Sequence, residues 1–96
     1  MWRDKAKSIF QNNGIEKLFI GKYSGLDLLS FSNLKNLKYL RINTGSVKTL
    51  NGIEYLENLE QLLLMQTTKL ETIKGIDKLP KLRSIRIENC RNIHDI

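Results

Sequence analysis

The sequence contains little of what most catalytic, metal-binding or membrane-spanning proteins require. Its 96 residues include one cysteine, one histidine and one proline. A single cysteine, Cys90, cannot form an intramolecular disulfide, so nothing indicates an oxidising compartment. No apolar run approaches the roughly 20 residues of a membrane-spanning helix, and the first residues show no signal-peptide pattern. We therefore expect a cytoplasmic protein without membrane association.

Residues that could carry catalysis are equally sparse. His94 lies beside Asp95, but adjacent side chains on an extended backbone point in opposite directions. The histidine and the cysteine are not at metal-ligand spacing. The chain also has neither a phosphate-binding glycine loop nor a nucleophile elbow. We expect no catalytic residues, no metal site and no cofactor, and hence a protein that is not an enzyme.

Basic side chains are in excess, with 16 lysines and arginines against 10 acidic residues and a net charge of +6. Such an excess is typical of proteins that bind nucleic acid or anionic surfaces. Here the basic residues are scattered and many alternate with acidic ones, apart from a cluster at Arg3, Lys5 and Lys7. This pattern favours solubility and steering of a partner, and an acidic protein partner fits it as well as nucleic acid does. Charge-driven binding of nucleic acid or an anionic surface is the alternative.

One apolar phrase occurs four times at an almost constant spacing, with one additional residue before the fourth copy. It reads Leu18-x-Ile20, Leu40-x-Ile42, Leu62-x-Leu64 and Ile85-x-Ile87, and each copy follows another aliphatic residue three positions earlier. Alternation of apolar and polar residues is the period of a short β-strand. A fixed period of about 20–29 residues with this phrase is typical of a solenoid in which successive strands pair in parallel.

The segments between the predicted strands repeat as well. Their apolar residues recur every third position, which favours a tight 3-10 or irregular arc with one side turned inward. The expected inward-facing residues are Leu26, Leu28 or Leu29, Phe31 and Leu34 in the first arc, Val47, Leu50, Ile53 and Leu56 in the second, and Leu70, Ile73, Ile76 and Leu79 in the third.

A helical bundle is the alternative architecture, because Leu34, Leu37 and Leu40 could begin a helix. Glycines between the apolar segments oppose it, since each would destabilise a continuous helix by about 1 kcal/mol relative to alanine. A bundle also gives no reason for the strict period of the apolar phrase. We predict the solenoid.

The segment before the first repeat predicts a different element. Trp2, Ala6, Ile9 and Phe10 form one apolar stripe at helical spacing, and Asn13-Gly14 provides a stop. The stripe ends immediately before the first repeat. This placement favours a capping helix over residues 1–14 that covers one end of the solenoid core. The alternative is a basic amphipathic helix that lies on a membrane.

Residues 15–96 resemble the leucine-rich repeat family, in particular its 22-residue bacterial, internalin-like subclass. The L-x-x-L-x-[LI] openings and the arcs TLNGIEYLENL (49–59) and TIKGIDKLPKL (72–82) carry the resemblance. It implies an α/β fold, a right-handed solenoid with short parallel strands on its concave face and 3-10 or irregular arcs on its convex face. About four repeats are present, the last incomplete. The family serves adhesion, sensing, inhibition and scaffolding, so the resemblance says much less about function.

The chain departs from the family pattern in two places. The resemblance implies an asparagine ladder at the bend after each strand, but those positions hold Tyr23, Gly45, Thr67 and Cys90. We therefore expect the first two bends to be less regular and Cys90 to be a small buried residue. The sequence also ends at Ile96, halfway through the fourth arc. We expect either a longer parent protein or an open end that docks, for example against a second copy.

The concave face is the predicted binding surface, because strand residues that alternate with the core aliphatics face outward. Aromatic, methionine and arginine side chains on it have the composition of a protein–protein hot spot. Isolated exposed apolar residues need no such explanation, but clustered ones favour it. The predicted partner-binding residues are Lys17, Phe19, Tyr39, Arg41, Asn43, Gln61, Leu63, Met65, Arg86 and Glu88.

The sequence thus predicts a non-enzymatic interaction module that binds a protein, acidic near the contact, through its strands. A cytoplasmic inhibitor, an immunity-like protein or an adaptor fits the family analogy. Two alternatives remain: a charge-driven binder of nucleic acid or an anionic surface, and a structural repeat fragment of a larger protein. The first predicts binding that weakens steeply with salt. The second predicts aggregation or dimerisation through the open end.

Overall fold

The computed structural model describes residues 14–90 and 92–93. They form a small α/β domain with one parallel sheet of four strands in the order β1-β2-β3-β4. The strands are β1 Lys17–Tyr23, β2 Tyr39–Gly45, β3 Gln61–Met65 and β4 Ser84–Glu88. Each contains one of the four repeated phrases, so the strand prediction is confirmed.

The pairing register follows the internal period of the sequence. Leu40 of β2 lies opposite Leu18 of β1 and Leu62 of β3, and Leu62 in turn lies opposite Ile85. The additional residue between the third and fourth phrases is therefore accommodated outside the strands. Equivalent aliphatic residues stack in rows across the sheet.

Three short 3-10 helices connect the strands, as the three-residue spacing predicts. They span Leu29–Phe31, Ile53–Tyr55 and Ile76–Lys78. Neighbouring crossovers are hydrogen-bonded to each other: the Leu28 N–H donates to the Asn51 carbonyl at 2.8 Å. In the described part of the chain there is no α-helix, so the helical bundle is excluded there.

One core fills the space between the sheet and the crossovers. Strand residues alternate between buried and more exposed positions, most clearly in β3. In β1, β2 and β3 the aliphatic residues of the repeated phrases therefore pack inward, together with apolar residues of the arcs. The buried hydrophobic residues are Leu18, Ile20, Tyr23, Leu28, Phe31, Leu34, Leu37, Leu40, Ile42, Val47, Leu50, Ile53, Leu56, Leu59, Leu62, Leu64, Leu70 and Leu79.

In the first arc, the buried residues differ in part from those predicted for the core. Leu28 is buried, whereas Leu26 is 58% exposed and Leu29 is 49% exposed. The reason is register, because the position one period before buried Val47 is Gly25 and not Leu26. A Cβ placed on Gly25 would overlap the Tyr23 ring. The tyrosine therefore fills the space that a larger side chain at position 25 would need.

The bends after the strands are of two kinds. β1 and β2 continue for seven residues, through Tyr23 and Gly45, whereas β3 and β4 have five residues each. The shorter strands are followed by left-handed residues, Gln66 with φ 46° and Asn89 with φ 58°. The first two bends therefore differ from the last two in backbone conformation.

The last strand departs from the predicted core pattern. Ile85 is 41% exposed, whereas its counterparts Leu18, Leu40 and Leu62 are at most 8% exposed. Among residues 14–90 and 92–93 no further strand pairs with β4, so Ile85 lies at an edge of the sheet. Leu18 lies on the other edge strand, β1, and is buried, so the edge position alone does not account for the exposure of Ile85.

Some predictions concern residues that lie outside the described ones. The capping helix was predicted over residues 1–14, of which residues 1–13 lie outside the described ones and Gly14 is in a turn. His94, Asp95 and Ile96 are also outside. Within the described ranges, no helix has the length and apolarity that crossing a bilayer requires.

Tyr23 makes folding stability sensitive to alkaline pH. Burial raises the pKa of its phenol, and the Asp27 carboxylate raises it further, although a hydrogen bond with Ser30 lowers it. Because the folded pKa exceeds the unfolded value of about 10, this group's contribution to stability is complete below about pH 10. It is lost as the pH rises through the folded pKa.

We therefore expect Tyr23→Phe to lose less stability than the wild type between about pH 8 and pH 11. At neutral pH the variant should be less stable by about 1 kcal/mol, because the phenol donates a hydrogen bond to the Asp27 carbonyl at 2.8 Å. Urea unfolding at both pH values measures the two effects. An identical alkaline loss in both proteins would contradict the role of Tyr23.

Candidate functional site

The outward side chains of the four strands form a continuous surface, here called the outer face. The observed register brings Lys17, Tyr39, Gln61 and Ser84 into one row and Phe19, Arg41, Leu63 and Arg86 into the next. Met65 lies opposite Glu88 in a third row, beside Asn43. All ten residues predicted to bind a partner are therefore on one side of the sheet.

Four apolar side chains of β1, β2 and β3 surround Arg41 on this face. We call Phe19, Tyr39, Leu63 and Met65 the apolar patch. Phe19 is 66% exposed, and the other three are half-buried. The rings of Phe19 and Tyr39 are in contact, with centroids 5.2 Å apart and planes inclined by 45°. The patch thus offers an aromatic corner on β1 and β2 and flexible aliphatic side chains on β3.

Arg41 lies within the patch, between Phe19 and Leu63, and Arg86 lies beside Leu63 on β4. Each arginine is hydrogen-bonded to a neighbour on its own strand. The Arg41 Nε donates to the Asn43 Oδ1 at 2.7 Å. The Arg86 Nε donates to the Glu88 Oε2 at the same distance. Residues two apart on a strand share a face, so these contacts follow directly from the strand geometry. Their chemistry differs, because one acceptor is a neutral amide and the other is a carboxylate.

Charges alternate along the edge of the sheet where the strands begin. The residues immediately before the strands are Glu16, Lys38, Glu60 and Arg83. Lys38 lies 3.6 Å from Glu16, and Arg83 lies 3.6 Å from Glu60. Exposed pairs of this kind add little stability, about 0–1 kcal/mol each. They do mean that this edge presents a balanced charge pattern and not a basic stripe.

An apolar groove of about 300 Å³ lies beside β4. We call it the end groove, and it is lined by Ile73, Ile85, Ile87, Cys90 and Ile93. The Cys90 thiol is half-buried and lies 2.8 Å from the hydroxyl of buried Thr67. The sulfur also contacts the Glu88 carbonyl at 3.3 Å. Cys90 is therefore half-buried and hydrogen-bonded to Thr67, and not fully buried as expected.

The described residues offer no metal-binding cluster, since no three histidine, cysteine, aspartate or glutamate side chains come together there. The outer face presents aromatic and aliphatic surface with guanidinium and ammonium groups beside it. Such a surface can bind another molecule by apolar contact and charge-assisted hydrogen bonds.

The alternation of the strand sequence located the outer face, but two features were missed. The pairing of each arginine with its neighbour is encoded in the spacings Arg41-x-Asn43 and Arg86-x-Glu88, which place both members on one face. The end groove was not predicted, because its lining includes Ile85, which the sequence pattern predicts to be buried. Comparison of the chain with protein-family models, with curated proteins and with solved structures found no match.

Proposed function

We propose that this chain is a leucine-rich repeat solenoid that binds a protein partner through the outer face. The repeat assignment rests on the agreement between the internal period of the sequence and the pairing register of the strands. Each of the first three strands is followed by a crossover with a 3-10 helix, and adjacent crossovers are hydrogen-bonded to each other. The capping helix over residues 1–14 belongs to the same proposal.

The exposed apolar patch is the observation that carries the binding proposal. A side chain as large as Phe19 that is 66% exposed beside three more apolar side chains is costly to leave in water. Strand positions with polar side chains would avoid that cost. Aromatic, methionine and arginine side chains dominate the energetics of protein–protein contacts. The outer face therefore has the chemistry of an inhibitor or adaptor surface rather than that of an enzyme site.

Charge-driven binding of nucleic acid fits the same surface less well. The edge residues Glu16, Lys38, Glu60 and Arg83 alternate in sign, and Arg86 is paired with Glu88. A nucleic-acid site needs several basic groups that track a phosphate backbone, and its affinity falls steeply with salt. An apolar contact persists at salt concentrations that screen surface charges.

The test compares three tagged proteins in affinity capture from cell lysate at about 0.3 M salt. They are the wild type, the outer-face variant Leu63→Asp/Met65→Asp and the control variant Leu26→Asp/Leu29→Asp. The control adds the same two charges at exposed aliphatic positions of the first crossover. Each protein is first shown to be folded by circular dichroism.

We expect a protein partner to be retained by the wild type and the control and lost by the outer-face variant. Affinity for the identified partner should fall at least about 100-fold, as for hot-spot residues. Equal retention by all three proteins would contradict the proposal. So would capture of nucleic acid alone. Recovery of a second, differently tagged copy of this chain by all three proteins would instead place a self-association surface outside the outer face.

A further inference from the structure

The cationic groups of the outer face are not equivalent, and the difference identifies what a partner must carry. Strand register gives Arg41 eight neighbours on its face: its own strand contributes two, and β1 and β3 contribute three each. They are Lys17, Phe19, Gly21, Tyr39, Asn43, Gln61, Leu63 and Met65. None is acidic and one is basic. The charge of Arg41 is therefore not balanced by any neighbour on its face.

Arg86 has the opposite environment. Its Nε is 2.7 Å from the Glu88 carboxylate, so the pair is neutral overall. A partner carboxylate that approached Arg86 would have to compete with Glu88 and would be repelled by it. The two arginines lie in the same row of the sheet, yet only Arg41 combines a net positive charge with a fixed position.

The geometry points to Arg41 as the specificity-determining residue that binds an Asp or Glu carboxylate of the protein partner; this inference rests on the proposed function. The Asn43 amide oxygen accepts only the Nε–H of Arg41 and holds the guanidinium in one orientation. A guanidinium has five N–H donors, of which two can bind a carboxylate together. Because Arg41 is held before binding, less conformational freedom is lost when the partner docks.

The surroundings of Arg41 define the rest of the partner's contact. Phe19 and Leu63 flank it in the same row, on strands about 4.8 Å away on either side. A carboxylate at Arg41 therefore places the partner's adjacent side chains directly on the apolar patch. The partner segment that fits is an extended peptide or loop with an aromatic or aliphatic residue next to an acidic one.

The test uses displayed random peptides of about 12 residues, which more than span four strands about 4.8 Å apart. The wild type, Arg41→Gln, Arg86→Gln and Leu63→Asp/Met65→Asp are panned in parallel. On the wild type we expect enrichment of Asp or Glu within two residues of an aromatic or aliphatic residue. Arg86→Gln should give the same motif. Arg41→Gln should retain the apolar residue and lose the acidic one.

A synthetic enriched peptide and its version with the acidic residue changed to the amide then complete a double-mutant cycle. We expect Arg41→Gln to weaken the acidic peptide about tenfold and the amide peptide less than about twofold. An acidic preference that persists in Arg41→Gln, or that disappears equally in Arg86→Gln, would overturn the inference alone. No enrichment on the wild type, or unchanged enrichment on Leu63→Asp/Met65→Asp, would overturn the proposed function as well.

Discussion

We expect Gly52→Ala to destabilise the protein by at least about 3 kcal/mol. Gly52 is buried before the second 3-10 helix with φ of 100°, a conformation that costs an alanine about 1–2 kcal/mol. An added Cβ would also lie 2.6 Å from the Leu29 nitrogen and 2.7 Å from the Leu28 carbonyl carbon. Backbone atoms cannot move aside as a flexible side chain can. The two crossovers would have to separate, which breaks the hydrogen bond from Leu28 to Asn51.

Gly75 provides the matched control. It precedes the third 3-10 helix with φ of 103°, but an added Cβ would meet only the Ile53 Cγ2 atom at 3.3 Å. Gly75→Ala should therefore cost about 1–2 kcal/mol, the penalty of the left-handed conformation alone. Urea unfolding with a common slope measures both. Equal losses in the two variants would contradict the close approach of the first two crossovers.

The second large effect distinguishes adjacent leucines on β3. We expect Leu62→Asp to prevent folding, because Leu62 is fully buried and an unpaired carboxylate there costs several kcal/mol. A domain of this size has only about 5–15 kcal/mol of total stability. Leu63→Asp is the same substitution one residue later, on the outer face. It should cost about 1 kcal/mol, the scale of strand preference.

Circular dichroism and thermal unfolding of the two variants show whether each is folded and how stable it is. A folded Leu62→Asp or an unfolded Leu63→Asp would mean that the strand faces are assigned the wrong way round. The same measurements on Leu63→Asp/Met65→Asp show whether that variant is folded and can be used in binding experiments. Loss of partner binding by that variant is informative only if the protein remains folded.

Much of the fold of the described residues could be predicted because two simple patterns, strand alternation and the internal period, run through the repeats. Alternation fixes which side of each strand is buried, and the internal period fixes which residues lie opposite each other. Both follow from the sequence without knowledge of side-chain packing. Three-residue spacing likewise predicted the 3-10 crossovers, because it matches the turn of that helix.

The predictions of which residues are buried are wrong where the burial of a side chain depends on the residues around it. The predicted core includes Leu26 because an aliphatic residue near the expected position satisfies the pattern. The residue one period before buried Val47 is Gly25, and the ring of Tyr23 fills the space that a larger side chain there would occupy. Ile85 is partly exposed where it lines the end groove beside β4, which its own sequence context does not reveal.

The sequence predicted that the candidate residues share one face of the sheet, but it did not predict their electrostatics. Strand alternation places Arg41 and Arg86 on the same face, and from the sequence alone they are equivalent cations. The contacts distinguish them, because Asn43 leaves the charge of Arg41 in place and Glu88 balances that of Arg86. This difference needs the side-chain geometry, although the spacing of two residues indicates which pairs to consider.

The central claim is that a protein partner binds the outer face, and site-specific photo-crosslinking tests it most directly. A photoreactive phenylalanine analogue replaces Phe19, which is 66% exposed on β1, or Tyr55, which is 46% exposed on the second crossover. In lysate at about 0.3 M salt, we predict a crosslinked protein from position 19 and none from position 55. Crosslinks of equal yield at both positions, crosslinks only at position 55, or only to nucleic acid, would contradict it.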